Sequence, residues 1–308
     1  MFKNYKPLFS LIGGMLLFGP ICIVREYIPD VPSGVFSCLR GIIAALFLAA
    51  IILIKKNKNT WNVIKPKLWL MMLSGAMIGF NWILLFDSCK YVPVATATLC
   101  YYMATPIVIL LSPFLFKERI TAKKLVCSIC AVAGIVLVSK VFDGTNGDGY
   151  DYPRGIILGL CAAVLYAGVI ISNKYLGEMP AYEKTMIQLG SAGIVVLPYS
   201  LIAEHGGFTT VNIRAAVLIL LAGILFTGVP YALYFGSMKY LSAQTVAIVS
   251  YIDPVTAIIL SALLLGQRMG VLEIVGAVLI IGSAVACEIT IKKANKKDVG
   301  KSDSKTST

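Results

Sequence analysis

Histidine is nearly missing from this chain: His205 is the only one in 308 residues. That excludes a metal centre or a catalytic site built on histidines. Charge is scarce as well. Lys, Arg, Asp and Glu together make up 14% of the chain, against about 25% in a soluble globule. The Gly-rich stretch Gly144–Gly149 lacks a following Lys-Ser/Thr and a helix opening on it, so it is no phosphate-binding loop. With no ATPase motif, primary active transport by this chain alone is excluded. The eight cysteines lie mostly inside apolar runs. Cys127 and Cys130 form a CxxC with no second pair and no nearby histidine, and they read as packing residues, not a metal or redox site. No cofactor and no metal is implied.

What the chain has is apolar length. Hydrophobic residues are 58% of it and the mean hydropathy is +0.85. A membrane-crossing helix needs about 20 apolar residues. Ten such runs are expected: Leu8–Val24, Ser33–Ile54, Leu68–Phe86, Pro93–Phe116, Lys124–Val141, Arg154–Asn173, Glu183–Ala203, Arg214–Ser237, Ser242–Leu265 and Val271–Ile291. The first follows Lys3 and Lys6 as a signal peptide would. It is followed by no small-residue cleavage site, and reads as a retained span.

The net charge of +12 does not point to nucleic acid, because the basic residues occupy short connections and the C-terminal tail. With the N-terminus inside, 20 Lys and Arg fall on the cytoplasmic side and 6 outside, and Arg40, inside a span, completes the 27. This asymmetry predicts that both termini are cytoplasmic. The expected setting is the cell (plasma) membrane, with the lipid bilayer and a small-molecule substrate as partners. Pairing with a second copy as a homodimer is left open.

A shift of about 148 residues lays one half of the chain on the other. Tyr27, Asp30 and Pro32 fall on Tyr175, Glu178 and Pro180. Gly75 falls on Gly223, Pro106 on Pro254 and Gly134 on Gly282. Each half carries five spans, and an odd number makes the second copy enter the membrane from the opposite side. The fold class expected is an all-α polytopic membrane protein of ten transmembrane helices, arranged as two inverted five-helix repeats. Residues 1–142 form the first repeat and 143–153 a hydrophilic outer loop. Residues 154–291 form the second repeat and 292–308 a basic cytoplasmic tail.

A family resemblance rests on these features. The prolines in spans four and nine are followed by Phe116-Lys117-Glu118-Arg119-Ile120-Thr121 and by Leu265-Gly266-Gln267-Arg268-Met269. Arg40-Gly41 in span two and the Gly276-to-Gly282 spacing in span ten belong to the same pattern. The chain resembles the EamA branch of the drug/metabolite transporter superfamily over Leu8 to Glu288. Gln267 stands where that family's second copy commonly has an acid, and Gln188 takes the place of Arg40, so the halves are unequal. The resemblance implies a secondary transporter of small metabolites, often an exporter, with a central cavity lined by both halves.

Few residues could carry its chemistry. Asp253 lies 11 residues past Ser242, about 16 Å along a helix and half-way through a core about 30 Å thick. Ser250, Asp253 and Thr256 recur every three residues on one face. A carboxylate at that depth is a substrate contact or a proton-coupling group. Its structural alternatives are pairing with Arg40 or capping backbone freed near Pro254. In span four, Thr98, Tyr101, Tyr102 and Thr105 share one helical face, and Thr105 is the repeat mate of Asp253. These side chains either contact substrate or hydrogen-bond between helices. Thr227, Tyr231 and Tyr234 repeat the pattern in span eight beside Pro230. Tyr166 in span six and Asn81 in span three are polar side chains that line the site or pack. Arg40 could snorkel outward, pair with a carboxylate, or hold the carboxylate of a substrate.

Three classes of function follow from this set. The first is a secondary transporter with a midplane site, driven by a proton gradient or by exchange, for an amino acid or a related amphipathic compound. Another is a membrane-embedded enzyme, which paired deep carboxylates or an intramembrane histidine would support; neither occurs. The third is an accessory or receptor-like membrane protein that moves nothing.

Overall fold

The structure, a computed structural model, describes residues 6–55, 61–116, 122–138, 149–177, 179–238, 240–241, 249–267, 269–283 and 286. Among the described residues there are helices and no strand. In chain order they are α1 (Lys6–Phe18), α2 (Ile21–Glu26), α3 (Ser33–Lys55), α4 (Trp61–Ile64), α5 (Leu68–Ser88), α6 (Val94–Tyr101) and α7 (Ala104–Phe116). They continue as α8 (Ala122–Val138), α9 (Tyr152–Leu176), α10 (Ala181–Ile202), α11 (Ile213–Gly223), α12 (Val229–Met238), α13 (Ile252–Leu264) and α14 (Val271–Ser283).

Among the described residues seven stretches are helices long and apolar enough to cross a membrane: Lys6–Glu26, Ser33–Ile54, Asn62–Ser88, Val94–Leu115, Tyr152–Leu176, Ala181–Ile202 and Ile213–Ser237. The fifth, ninth and tenth expected spans correspond to the shorter apolar helices Leu125–Val138, Ile252–Leu264 and Val271–Ser283. The expected start of span nine at 242–248, the end of span ten, the turn at 117–121 with Glu118 and Arg119, most of the 143–153 loop and the basic tail lie outside the described residues. Large apolar side chains point outward along the helices, among them Leu53 at 77%, Phe114 at 83% and Ile202 at 79% exposure. In water such a surface would aggregate, whereas in lipid it is the solvated face. The chain is a multi-pass membrane protein.

Proline and glycine explain where these helices break. Gly19-Pro20 divides α1 from α2. Pro106 has no N–H to offer the Tyr102 carbonyl, and the chain turns between α6 and α7 just there, with Thr105 N donating to Tyr102 O at 3.4 Å. The stripe from Thr98 to Thr105 is therefore not one continuous helical face, and Tyr101 and Tyr102 take different directions. Ahead of Pro230, Ile224–Gly228 widens into a π-turn, and Thr227 Oγ1 donates to the Ala222 carbonyl at 2.7 Å. Such turns interrupt a helix where a site needs room.

Helix pairing is dominated by α3 on α10, α5 on α9, α5 on α10 and α1 on α12, with α6 and α7 on α9, α11 on α3, and α13 on α6 and α1. Small residues permit the closest of these crossings. A Cβ added at Gly134 in α8 would stand 2.7 Å from the Gly276 carbonyl of α14. One at Gly19 would stand 2.7 Å from Thr256 Cβ of α13.

Hydrogen bonds tie the two ends of the bundle. At one end Ser33 Oγ donates to Asp87 Oδ1 at 2.7 Å. There too Glu204 accepts from Gly34 N and Val35 N, both at 2.9 Å, and Gln267 Oε1 accepts from Val94 N at 3.0 Å. At the opposite end Lys67 Nζ donates to Leu176 O at 2.8 Å and Tyr175 Oη to Leu115 O at 3.2 Å.

Candidate functional site at mid-depth

Tyr102 and Asp253 meet across the chain. The Tyr102 hydroxyl donates to Asp253 Oδ2 at 2.7 Å, over a separation of 151 residues. Their depth follows from helix rise. α6 has 8 residues and brings Tyr102 about 12 Å from the end held by Gln267 and Val94; α13 has 13 residues and carries Asp253 about 20 Å from the same end, at 1.5 Å per residue. Both values fall in the middle of a core about 30 Å thick.

Asp253 is the second residue of α13, in its first turn. A carboxylate is favoured there, because the unpaired N–H groups of a helix start carry partial positive charge. Among the described residues the hydrogen bond of its carboxylate is with Tyr102, in place of the expected capping of backbone near Pro254. Pro254 falls inside the first turn, where its missing N–H leaves nothing unsatisfied.

Around this pair lies an aromatic wall. Tyr101 is edge-on to Tyr102 at 5.7 Å and tilted against Tyr166 at 4.9 Å. Tyr102 also faces Tyr251 at 6.3 Å. Tyr231 packs edge-on to Phe18 at 5.0 Å and stacks on Phe235 at 5.9 Å, which Tyr234 meets edge-on at 5.1 Å. Tyr101, Tyr166 and Tyr231 all lie within electrostatic reach of Asp253. Although helices enclose them, these tyrosines, apart from the buried Tyr251, remain only half-buried, as do Thr105, Ser250 and Asp253. Six of the expected residues thus converge, and Thr105 and Ser250 stand one turn from them along the chain.

Asn81 and Arg40 behave differently. Asn81 is 1% exposed and its Nδ2 donates to the Ala162 carbonyl at 2.6 Å, the helix-to-helix bond that was one of its two expected roles. Its Oδ1 is buried without a partner. Arg40 neither snorkels outward nor pairs with a carboxylate. It is 4% exposed, its guanidinium lies 3.7 Å over the Trp82 ring and 5.3 Å from that of Phe86, and among the described residues the one ion pair is Lys90–Asp87 at 2.5 Å. Tyr231 and Tyr101 are within its electrostatic reach.

Sequence reasoning missed Trp82, Phe18 and Phe235 because each reads as an ordinary apolar residue in its run. The spacing could have found Phe235, one residue beyond Tyr234 on the same turn. It also missed the role of Gln267, whose amide caps α6 and reaches Tyr150 Oη at 3.3 Å.

Ten expected crossings, a lipid-facing exterior and a polar, tyrosine-lined centre are the attributes of a membrane transporter. The family model described as the EamA-like transporter family matches residues 6–140 and again 153–287, and the chain belongs to that family. An uncharacterized transporter YxxF of Bacillus subtilis (strain 168) is 27% identical over 93% of this chain and 91% of its own. A probable amino-acid metabolite efflux pump of Salmonella typhimurium (strain LT2) is 26% identical over 71% of this chain and 77% of its own. A solved crystal structure, 19% identical, superposes with a TM-score of 0.61 over 92% of this chain and 98% of the solved one. The last is a likeness of fold.

Proposed function

We propose that this chain is a secondary transporter that exports a small amphipathic metabolite, an amino acid or a related compound, by alternating access around the Tyr102–Asp253 site. The observation that carries the reading is the Tyr102–Asp253 hydrogen bond, a mid-depth contact between the two halves of the chain. A site placed there is exposed first to one side and then to the other when the halves rock.

The ten-span, two-repeat arrangement belongs to the same reading. The family model matches twice, and helix pairing follows the 148-residue shift. The α5–α9 contact has its counterpart in α12–α1, and the α5–α10 contact in α11–α3. The α3–α10 contact joins positions that the shift exchanges. Both termini are cytoplasmic, the membrane is the cell membrane, and the Asp87 end faces outward. Asp253 is the group through which a proton gradient acts. The efflux relative supports the direction and the amino-acid class.

The test is transport in proteoliposomes holding the purified chain, with a pooled metabolite mixture read by mass spectrometry, with and without a pH gradient. Gradient-driven accumulation of one class is the expected result. Movement indifferent to the gradient would leave an exchanger or facilitator. No movement by folded protein across all classes would favour a receptor-like or accessory role.

A further inference from the structure

Arg40 is a buried cation without a counter-charge. Its Nε and Nη1 are enclosed by protein and have no hydrogen-bond partner, and no carboxylate stands within ion-pair distance among the described residues. A guanidinium taken out of water is costly unless it is paired and hydrogen-bonded. The face of Trp82 at 3.7 Å returns only a part of that cost. Arg25, the other buried basic residue among those described, at least donates to the Ile28 carbonyl at 2.8 Å. Arg40 has no such bond, and it adjoins the tyrosines that also adjoin Asp253.

We infer that Arg40 is the anchor for a carboxylate of the transported molecule, and that the substrate class is a small monocarboxylate. This rests on the transporter reading above and assigns one pole of its site. The guanidinium offers two planar forks, Nε with Nη2 and Nη1 with Nη2, each matching the two oxygens of a carboxylate and each containing one of the unpartnered nitrogens, while Trp82 lies against their plane. One monoanion neutralises one guanidinium. A phosphate dianion would retain a charge, and among the described residues no Lys hydrogen-bonds or pairs there to meet it, the other buried basic residue being Arg25, which donates to Ile28. Asp253 keeps a separate task, since it stands in the other half of the chain and is held by Tyr102. Arg40 Nε and Nη1 become reachable as the helices part, so the carboxylate enters during the motion that changes access.

The test uses proteoliposomes loaded with equimolar neutral amino acids, their amides and their decarboxylated amines. Efflux is read by mass spectrometry, and thermal stability of the detergent-purified protein is read with the same compounds. The unaltered chain should move carboxylate members at least about tenfold faster than their amides, in line with the loss of a charged hydrogen bond. Arg40→Gln should erase that preference. Arg40→Lys, which keeps the charge and loses the fork, should restore only part of it. Equal movement of acids and amides by the unaltered chain overturns the inference and leaves the transporter reading intact. So does a preference retained in Arg40→Gln, or a guanidinium satisfied by halide, seen as chloride dependence without carboxylate preference. If nothing crosses but carboxylates alone raise the melting temperature, and only with Arg40 present, the anchor stands and the transporter reading falls. Should Arg40→Gln not fold, Arg40→Lys and the acid-to-amide ratio of the unaltered chain decide.

Discussion

In the proposed two-repeat arrangement Arg40 and Gln188 are counterparts, 148 residues apart, and they are equally buried at 4% exposure. The amide nitrogen of Gln188 is fully engaged: Nε2 donates to Ser74 Oγ at 2.8 Å and to Asn173 Oδ1 at 3.1 Å. That knot joins α5, α9 and α10. Arg40 has a ring beneath it and no acceptor. One position has become a structural joint and the other a charge held in reserve. Thr105 and Asp253 are unequal in the same sense: the acid stands in one half and a hydroxyl in the other. Each half thus supplies one charge, and the charges are left apart instead of cancelling. A repeat that had kept both partners identical would have placed two cations or two acids in one apolar space.

The largest effect is expected at the acid. Asp253→Asn keeps an acceptor for Tyr102 and removes the group that can carry a proton. Accumulation driven by a pH gradient should vanish, while counterflow of substrate between equally loaded compartments continues. Loss of both activities in folded protein would make Asp253 a binding residue in place of a coupling one.

Next in size is the satisfied member of the comparison. Gln188→Leu leaves the buried Ser74 and the half-buried Asn173 without their donor. Each orphaned group costs about 1–3 kcal/mol. Denaturation in detergent should show that loss, and the protein that survives should keep the substrate preference of the unaltered chain. A changed preference with unchanged stability would mean that Gln188 also faces the substrate.

Tyr102→Phe removes a hydrogen bond to a charged group, worth about 1.5–3 kcal/mol, without touching the charge itself. Gradient-driven transport should fall by roughly tenfold or more, since about 1.4 kcal/mol is a factor of ten. Counterflow should fall much less. An equal fall in both would place the Tyr102 hydroxyl on the substrate.

These residues also measure how far the sequence reaches. Hydrophobic run length located the seven long helices, because a lipid core sets the length of helix that crosses it. The 148-residue shift brought Thr105 and Asp253 to equivalent places, and Pro106 marked the break that turns Tyr102 toward the acid. What the shift cannot carry is partner choice. Asp253 had Arg40, Pro254 backbone and substrate as candidates, and the choice of Tyr102 depends on how α6 crosses α13. Trp82 beneath Arg40 is invisible for the same reason: an aromatic residue in an apolar span gives no sign of which cation it will face. The π-turn was legible only as a proline, and the Thr227 hydroxyl three residues before Pro230 donates to the Ala222 carbonyl within it.

The smallest effect tests whether the contrast belongs to depth. At the Asp87 end, Glu204 accepts from the N–H groups of Gly34 and Val35 at the start of α3. Every polar group in that arrangement has an ordinary helix-capping task, and water can replace it. Glu204→Ala should therefore cost about 1 kcal/mol of stability, as a lost N-terminal cap does, and leave gradient coupling and substrate preference where they were. The melting temperature and the acid-to-amide ratio in one preparation would read both. If the ratio moves while stability does not, the start of α3 sets the position of Arg40 seven residues further on, and the end of the bundle and its centre act as one device.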